Sequence, residues 1–137
     1  MTYDTPSPLP TSSDDTGFSA FDESSIRDRR LQVAEAVGAA GFGPERSDDF
    51  TLAVNEAMNN SVFHGGGSGE IAFWSEGDTF LCEVRDHGHI DDPLAGTVPP
   101  AREQVGGRGL WIMNHLCDLV QIRSTSDGQV VRLHLYF

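Results

Sequence analysis

The sequence contains no lysine, and its nine basic residues are therefore all arginine. Against 21 Asp and Glu residues, they leave a formal net charge of −12 at pH 7. Direct nucleic-acid binding depends on clustered Lys and Arg that neutralise phosphates, so this charge argues against DNA or RNA as a partner. An acidic domain can dock on a basic protein surface, but the same charge also serves solubility.

Cysteine and long apolar segments are scarce as well. Cys82 and Cys117 show no Cys-x-x-Cys spacing, which favours two reduced core thiols over a disulfide or a zinc site. No run of about 18 apolar residues is present, so we expect no membrane-spanning helix. The N-terminus has neither a basic start nor an apolar core, and we therefore expect an unexported, cytoplasmic protein.

Composition divides the 137 residues into a tail and one domain. Residues 1–17 are rich in Pro, Ser, Thr and Asp and have few large apolar groups, which predicts a flexible tail. Residues 18–137 are enough for one domain with its own hydrophobic core. Within them, residues 87–106 contain several Pro and Gly, which predicts a long loop of the kind that usually has a function.

Apolar periodicity and turn residues predict the secondary structure of the domain. Three helices are predicted, at residues 24–41, 44–64 and 107–117. Five strands are predicted, at residues 18–21, 70–75, 79–85, 119–124 and 130–137. This order predicts an α+β fold, a two-layer sandwich with helices on one face of a mixed, mainly antiparallel sheet.

The second predicted helix carries an unusual set of polar residues. Glu56, Asn60 and His64 are four positions apart and share one ridge, and Asn55 and Asn59 form the neighbouring ridge. Apolar residues occur on several sides of this helix, which therefore looks largely buried. One interpretation is a polar stripe that faces water. The other is a magnesium site, in which Asn60 gives an oxygen to Mg²⁺ and Glu56 accepts a proton or orients the attacking group.

Asp86 stands at the end of the strand predicted at residues 79–85 and is followed by Gly88. An ordinary turn is the simpler interpretation of Asp-x-Gly. The functional interpretation is a carboxylate directed at an exocyclic amine, with Gly88 allowing close approach of the backbone.

Glycines cluster at positions 106, 107 and 109, where the third helix begins. Because Gly destabilises a helix interior by about 1 kcal/mol, this cluster indicates a tight turn or a close ligand. Free N–H groups at a helix N-terminus bind phosphate well, and Arg108 adds a positive charge. The segment has neither the Lys of a Walker A loop nor the βαβ context of a dinucleotide fingerprint.

The order of these motifs resembles the N, G1 and G2 boxes of the GHKL, or Bergerat-fold, ATPases. Residues 52–137 resemble the ATPase domain of the bacterial anti-sigma-factor serine kinases, and with the looser match of the preceding helix the resemblance covers about residues 18–137. Three stretches carry it: Leu52-Ala53-Val54-Asn55-Glu56-Ala57, Val84-Arg85-Asp86-His87-Gly88 and Gly106-Gly107-Arg108-Gly109-Leu110-Trp111-Ile112.

The resemblance implies a site for ATP and Mg²⁺. It assigns Glu56 as the general base, Asn60 as the Mg²⁺ ligand, and Asp86 with Gly88 as the group that reads adenine N6. Residues 89–106 correspond to the ATP lid. Four residues at the start of the third helix would contact the nucleotide: Gly107, Arg108, Gly109 and Leu110.

In this family the kinase binds a sigma factor and phosphorylates a serine of a small, STAS-type anti-anti-sigma antagonist, and homodimers are usual. The resemblance therefore implies an anti-sigma factor with protein serine/threonine kinase activity in a partner-switching system. The alternative is a catalytically weak ATP-binding module that controls a partner by nucleotide-dependent binding. A histidine-kinase catalytic domain is a third possibility, but the sequence lacks a helix pair bearing a phosphoacceptor His.

Three positions depart from the family pattern. Ile90 stands where many relatives have a further Gly, and Val130 lies in a stretch of the last strand that lacks the Thr many relatives place near adenine. Val105 stands where some relatives have Arg. The differences at Ile90 and Val130 concern adenine contacts, and the difference at Val105 concerns the catalytic rate. A protein that binds ATP without efficient turnover is therefore still an alternative.

Overall fold

The computed structural model describes residues 17–87, 107–125 and 128–137. The tail predicted for residues 1–17, apart from Gly17, and the lid predicted for residues 89–106 lie outside the described residues. Eight elements follow in chain order: β1 (Ser19–Asp22), α1 (Ile26–Ala39), α2 (Pro44–His64), β2 (Ser68–Glu76), β3 (Thr79–Asp86), α3 (Gly107–Leu116), β4 (Leu119–Thr125) and β5 (Gly128–Tyr136).

Helix α2 begins and ends where local chemistry dictates. Pro44 occupies the first turn, where its fixed φ suits the helix and its missing N–H is not needed. At the other end the Gly65 N–H still bonds the Ser61 carbonyl oxygen at 2.9 Å. Gly66 and Gly67 then adopt φ of 96° and 94°, which side chains disfavour, and this turns the chain into β2. The predicted limits of this helix are confirmed.

The five strands form one sheet in the order β1-β2-β3-β5-β4. We expected a mixed, mainly antiparallel sheet, but all four pairings between the described strands are antiparallel. The reason is the connectivity. Helix α3 lies between β3 and β4 in the chain, and β4 forms the edge of the sheet, two positions from β3. Strand β5 then runs back between them and is antiparallel to both. The predicted α+β sandwich is confirmed.

The core lies between the sheet and the helices. Alternate residues of β3, Phe80, Cys82 and Val84, are buried together with Phe50 and Met58 of α2. Helix α2 packs against α1, α3 and the sheet, so it is the central helix of its layer. Burial of this apolar surface is the main force that fixes α2 on the sheet.

The expectation that α2 is largely buried was wrong for one side of the helix. The side chains of Leu52 and Phe63 are 46% and 65% exposed. The sheet and the two flanking helices cover only part of its circumference, because the helices form a single layer. Apolar residues on the outer side therefore stay exposed.

The face of the sheet opposite the described helices carries a buried ionic cluster. Glu83 accepts a hydrogen bond from Arg132 Nε at 2.9 Å and another from Arg85 Nε at 2.7 Å. The Arg132 guanidinium lies 5.4 Å from the Trp74 ring centroid, and that of Arg85 lies 3.8 Å from the Phe18 ring centroid. Since Glu83 is 1% exposed, these hydrogen bonds offset the desolvation of its carboxylate.

Both cysteines are free and buried, as predicted. Burial raises the pKa of the Cys82 and Cys117 thiols, and only the thiolate reacts readily. We expect a thiol reagent such as DTNB to leave the native protein unmodified and to titrate two thiols in guanidinium chloride. Native-state reaction as fast as that of free cysteine would contradict the buried placement.

Protonation of His134 should destabilise the fold. Burial and then the positive charge of Arg132 lower the pKa of His134 below its ordinary 6.5, while Glu76 opposes this change. Between the lowered pKa and 6.5 the unfolded chain binds more protons than the folded chain, so stability rises with pH in that window. We expect the free energy of unfolding to increase from about pH 5 to about pH 7, and to increase less in His134→Gln. Denaturant titrations across this pH range measure the free energy of unfolding. If it changed with pH equally in both proteins, the assignment to His134 would be refuted.

Candidate functional site

The first turn of α3 lies directly against the middle of α2. A Cβ atom added to Gly109 would lie 3.0 Å from Asn60 Nδ2, 3.1 Å from Asn60 Oδ1 and 3.3 Å from Glu56 Oε2. Such distances are shorter than most real Cβ contacts, so a larger residue at position 109 would displace both polar side chains. The fold therefore brings together the second-helix motif and the third-helix motif, which are far apart in the sequence.

This junction combines groups that suit a phosphate and a cation. Glu56 and Asn60 are half-buried, so they are held by packing and still accessible. Gly107 and Arg108 are the first two residues of α3, and the N–H groups of a first helical turn have no partners within the helix. Together with the positive end of the helix dipole they favour an anionic ligand.

Leu110 is the last of the four nucleotide contacts predicted at the start of α3. Its side chain is 2% exposed and belongs to the hydrophobic core. It therefore anchors α3 on the domain, and only its backbone can face a ligand. The core packing of Leu110 supports the position of the glycine-rich turn that precedes it.

A divalent ion would fit this site only together with phosphate oxygens. Among the described residues there is no group of three or more His, Cys, Asp or Glu side chains that could hold a metal. The Asn60 carbonyl oxygen and the nearby Glu56 carboxylate are hard oxygen donors of the kind that Mg²⁺ takes. Mg²⁺ commonly completes its shell with nucleotide phosphates and water, which matches this small set of donors.

Asp86 is held at the far end of the same helix. It is 8% exposed at the end of β3, and the Ser61 hydroxyl donates a hydrogen bond to its Oδ2 at 2.6 Å. A Cβ atom added to Gly65 would lie 2.5 to 2.8 Å from the Asp86 carboxyl atoms. Helix α2 therefore carries one of the three predicted motifs and contacts the other two. Gly88, the other half of the Asp-x-Gly motif, lies outside the described residues.

Sequence reasoning missed Gln129. It pairs directly with Asp86 across the β3–β5 ladder and is 5% exposed. Directly paired residues share one face of the sheet, whereas Val130 pairs with Arg85 and belongs to the other face. The polar residue beside Asp86 is thus Gln129. Alternation along β5 could have indicated its face, but the register with Asp86 is not visible in the sequence.

Gly128 allows β5 to start close to Asp86. Its φ of 139° is one that side chains rarely adopt, and an added Cβ would overlap the Asp86 carbonyl oxygen. A cavity of about 500 Å³ opens nearby, with Asp86, His87 and Gln129 among its described lining residues. Because its described lining includes neither Glu56 nor Asn60, the cavity adjoins the Asp86 end of the site rather than the junction of α2 and α3.

The structure places two of the three departures outside the described residues, at Ile90 and Val105. Of the described helices, none has both the length and the apolar character needed to cross a membrane.

Comparison with known proteins agrees with this geometry. Residues 19–135 match the histidine kinase-like ATPase domain family. The chain is also similar to the serine-protein kinase RsbW of Halalkalibacterium halodurans, with 29% identity over 109 residues that cover 71% of this chain and 67% of that protein. The family match runs from the first residue of β1 to the penultimate residue of β5 and includes every element of the site. The chain belongs to the histidine kinase-like ATPase domain family.

Proposed function

We propose that this protein is an ATP-dependent protein serine/threonine kinase that also acts as an anti-sigma factor. The close approach of Gly109 to Glu56 and Asn60 carries the proposal, because it brings a carboxylate, an amide oxygen and a helix N-terminus together at one junction. The family membership, which implies ATP binding, and the similarity to a protein named as a serine-protein kinase support it.

Each part of the nucleotide has a matching group in the proposal. Asn60 would hold Mg²⁺ through its carbonyl oxygen, and the backbone N–H groups of Gly107, Arg108, Gly109 and Leu110 would bind the phosphates. Asp86 would accept a hydrogen bond from the exocyclic amine of adenine. Bound Mg·ATP supplies the γ-phosphoryl group and neutralises charge on the phosphates.

Glu56 is the proposed general base. Its Oε2 lies 3.3 Å from the position of the Cβ that Gly109 lacks, in the turn that is proposed to bind the phosphates. It would accept the hydroxyl proton of an acceptor serine as the serine oxygen attacks phosphorus and ADP leaves. The first turn of α3 would stabilise the negative charge that develops on the transferred group.

The proposed partners follow from the similarity to the anti-sigma-factor kinases. They are a sigma factor, which the protein would sequester, and a STAS-type anti-anti-sigma antagonist, whose serine it would phosphorylate. As part of the same proposal, the protein acts in the cytoplasm as a homodimer.

A second candidate function is a regulatory module that binds ATP and turns it over slowly. The buried Gln129 beside Asp86 favours this candidate, because relatives often carry Thr in this part of the last strand. In such a module the protein would have two conformational states, of which the partner binds one. ATP would change the affinity for the partner only if ATP itself bound the two states with different affinities.

One pair of measurements separates the two candidates. Calorimetry with Mg·ATP and Mg·ADP tests the site, and incubation with γ-labelled ATP and candidate STAS-type proteins tests phosphoryl transfer. Binding with label on a serine supports the kinase, while binding without transfer supports the module. If the nucleotides produce no heat in calorimetry and do not raise the unfolding temperature, both candidate functions are contradicted. The same titrations in EDTA are the control for metal dependence.

A further inference from the structure

We infer that Ser61 is a positioning residue that orients the Asp86 carboxylate for recognition of a base with an exocyclic amine. The inference rests on the proposed function, and it adds to the site a residue that the sequence motifs do not contain. Ser61 is 1% exposed on α2, and its hydroxyl lies 2.6 Å from Asp86 Oδ2.

The Asp86 carboxylate is confined from two directions. The hydrogen bond from Ser61 joins a hydroxyl to an ionised acceptor, a class of bond that is short and strong. On the second side the Gly65 backbone approaches so closely that even a Cβ would overlap the carboxyl group. These contacts fix the rotation of the carboxylate about its Cβ–Cγ bond.

Orientation decides which base the carboxylate accepts. A carboxylate oxygen aimed at position 6 of a purine attracts the amine of adenine and repels the carbonyl oxygen of hypoxanthine. If the carboxylate could rotate, both effects would weaken. Ser61 therefore acts on the choice of base through Asp86, without contact with the base being required.

The test compares the affinities for ADP and IDP, which carry adenine and hypoxanthine, by calorimetry. The wild type is expected to prefer ADP. Ser61→Ala is expected to weaken ADP binding about tenfold, as for loss of one charge-assisted hydrogen bond, and to leave IDP binding unchanged or slightly tighter because the repulsion of its carbonyl oxygen is also reduced. Thr51→Ala is the matched control, since it also removes a hydroxyl from α2, one that bonds the Ser47 carbonyl oxygen at 2.7 Å. Its ADP to IDP ratio should equal that of the wild type.

A double-mutant cycle separates positioning from general damage. In an Asp86→Asn background, Ser61→Ala should cause no further change in the ADP to IDP ratio, because its effect passes through the carboxylate. Should Ser61→Ala fail to fold, Ser61→Cys keeps a weak donor of similar size and is expected to give an intermediate ratio.

One result would overturn the inference while the proposed function stands. It is an unchanged ADP to IDP ratio in folded Ser61→Ala, whether both affinities keep their wild-type values or fall by the same factor. A wild type that binds neither nucleotide, or that does not prefer ADP, would instead contradict the proposed function and the inference together. The wild-type titration alone reveals that case.

Discussion

Replacing Glu56 with Gln is expected to slow phosphoryl transfer to an acceptor serine by about 10² to 10⁴-fold, the usual effect of removing a general base. The affinity for Mg·ATP should stay within about threefold of the wild type, because Gln fills the same space beside Gly109. Single-turnover label transfer measures the first quantity and calorimetry the second.

Glu45→Gln is the matched control for this experiment. Glu45 is exposed in the first turn of α2, so the same charge is removed from the same helix about three turns before Glu56. This control should transfer phosphate at the wild-type rate. If Glu56→Gln did so as well, Glu56 would lose its assignment as the base, although the nucleotide site itself would be unaffected.

Replacing Asn60 with Ala is expected to have the largest effect on nucleotide binding. Loss of a metal ligand should weaken Mg·ATP binding by at least about 10 to 100-fold, the range seen when even an outer-shell partner of a metal is removed. In EDTA the wild type and Asn60→Ala should bind ATP with similar affinity, because the lost group acts through the metal.

Asn59→Ala tests whether this loss is specific. Asn59 is the neighbouring half-buried amide on α2, and Gly109 faces Asn60 rather than Asn59. We expect Asn59→Ala to keep wild-type affinity for Mg·ATP. A loss in Asn60→Ala of equal size with and without Mg²⁺ would show that Asn60 supports the packing of α2 against α3 and is not a metal ligand.

Helix α2 shows how much could be predicted from local pattern. Pro44 and Gly65 mark its ends, and both act through interactions within one turn, so the sequence sufficed. Local pattern did not predict that apolar residues on the outer side of α2 are exposed. Leu52 and Phe63 resemble core residues in the sequence, but which side of the helix is covered depends on where α1, α3 and the sheet lie.

The buried Glu83–Arg132 pair is a second example. Each residue taken alone reads as a charged position on a strand, for which exposure is the ordinary expectation. Their direct pairing across β3 and β5 places opposite charges side by side in a buried position. The sequence separation of 49 residues between them explains why no local pattern indicated this contact.

The sequence by itself determined the order of the elements, the limits of the central helix and the succession of three polar motifs, since these depend on residues close together in the chain. Only the tertiary structure decided that Gly109 touches Asn60, that Ser61 bonds Asp86, and that Gln129 stands opposite that carboxylate. Strand register and helix placement arise from packing between distant segments, where many weak contacts are satisfied at once and no single stretch of sequence records the result.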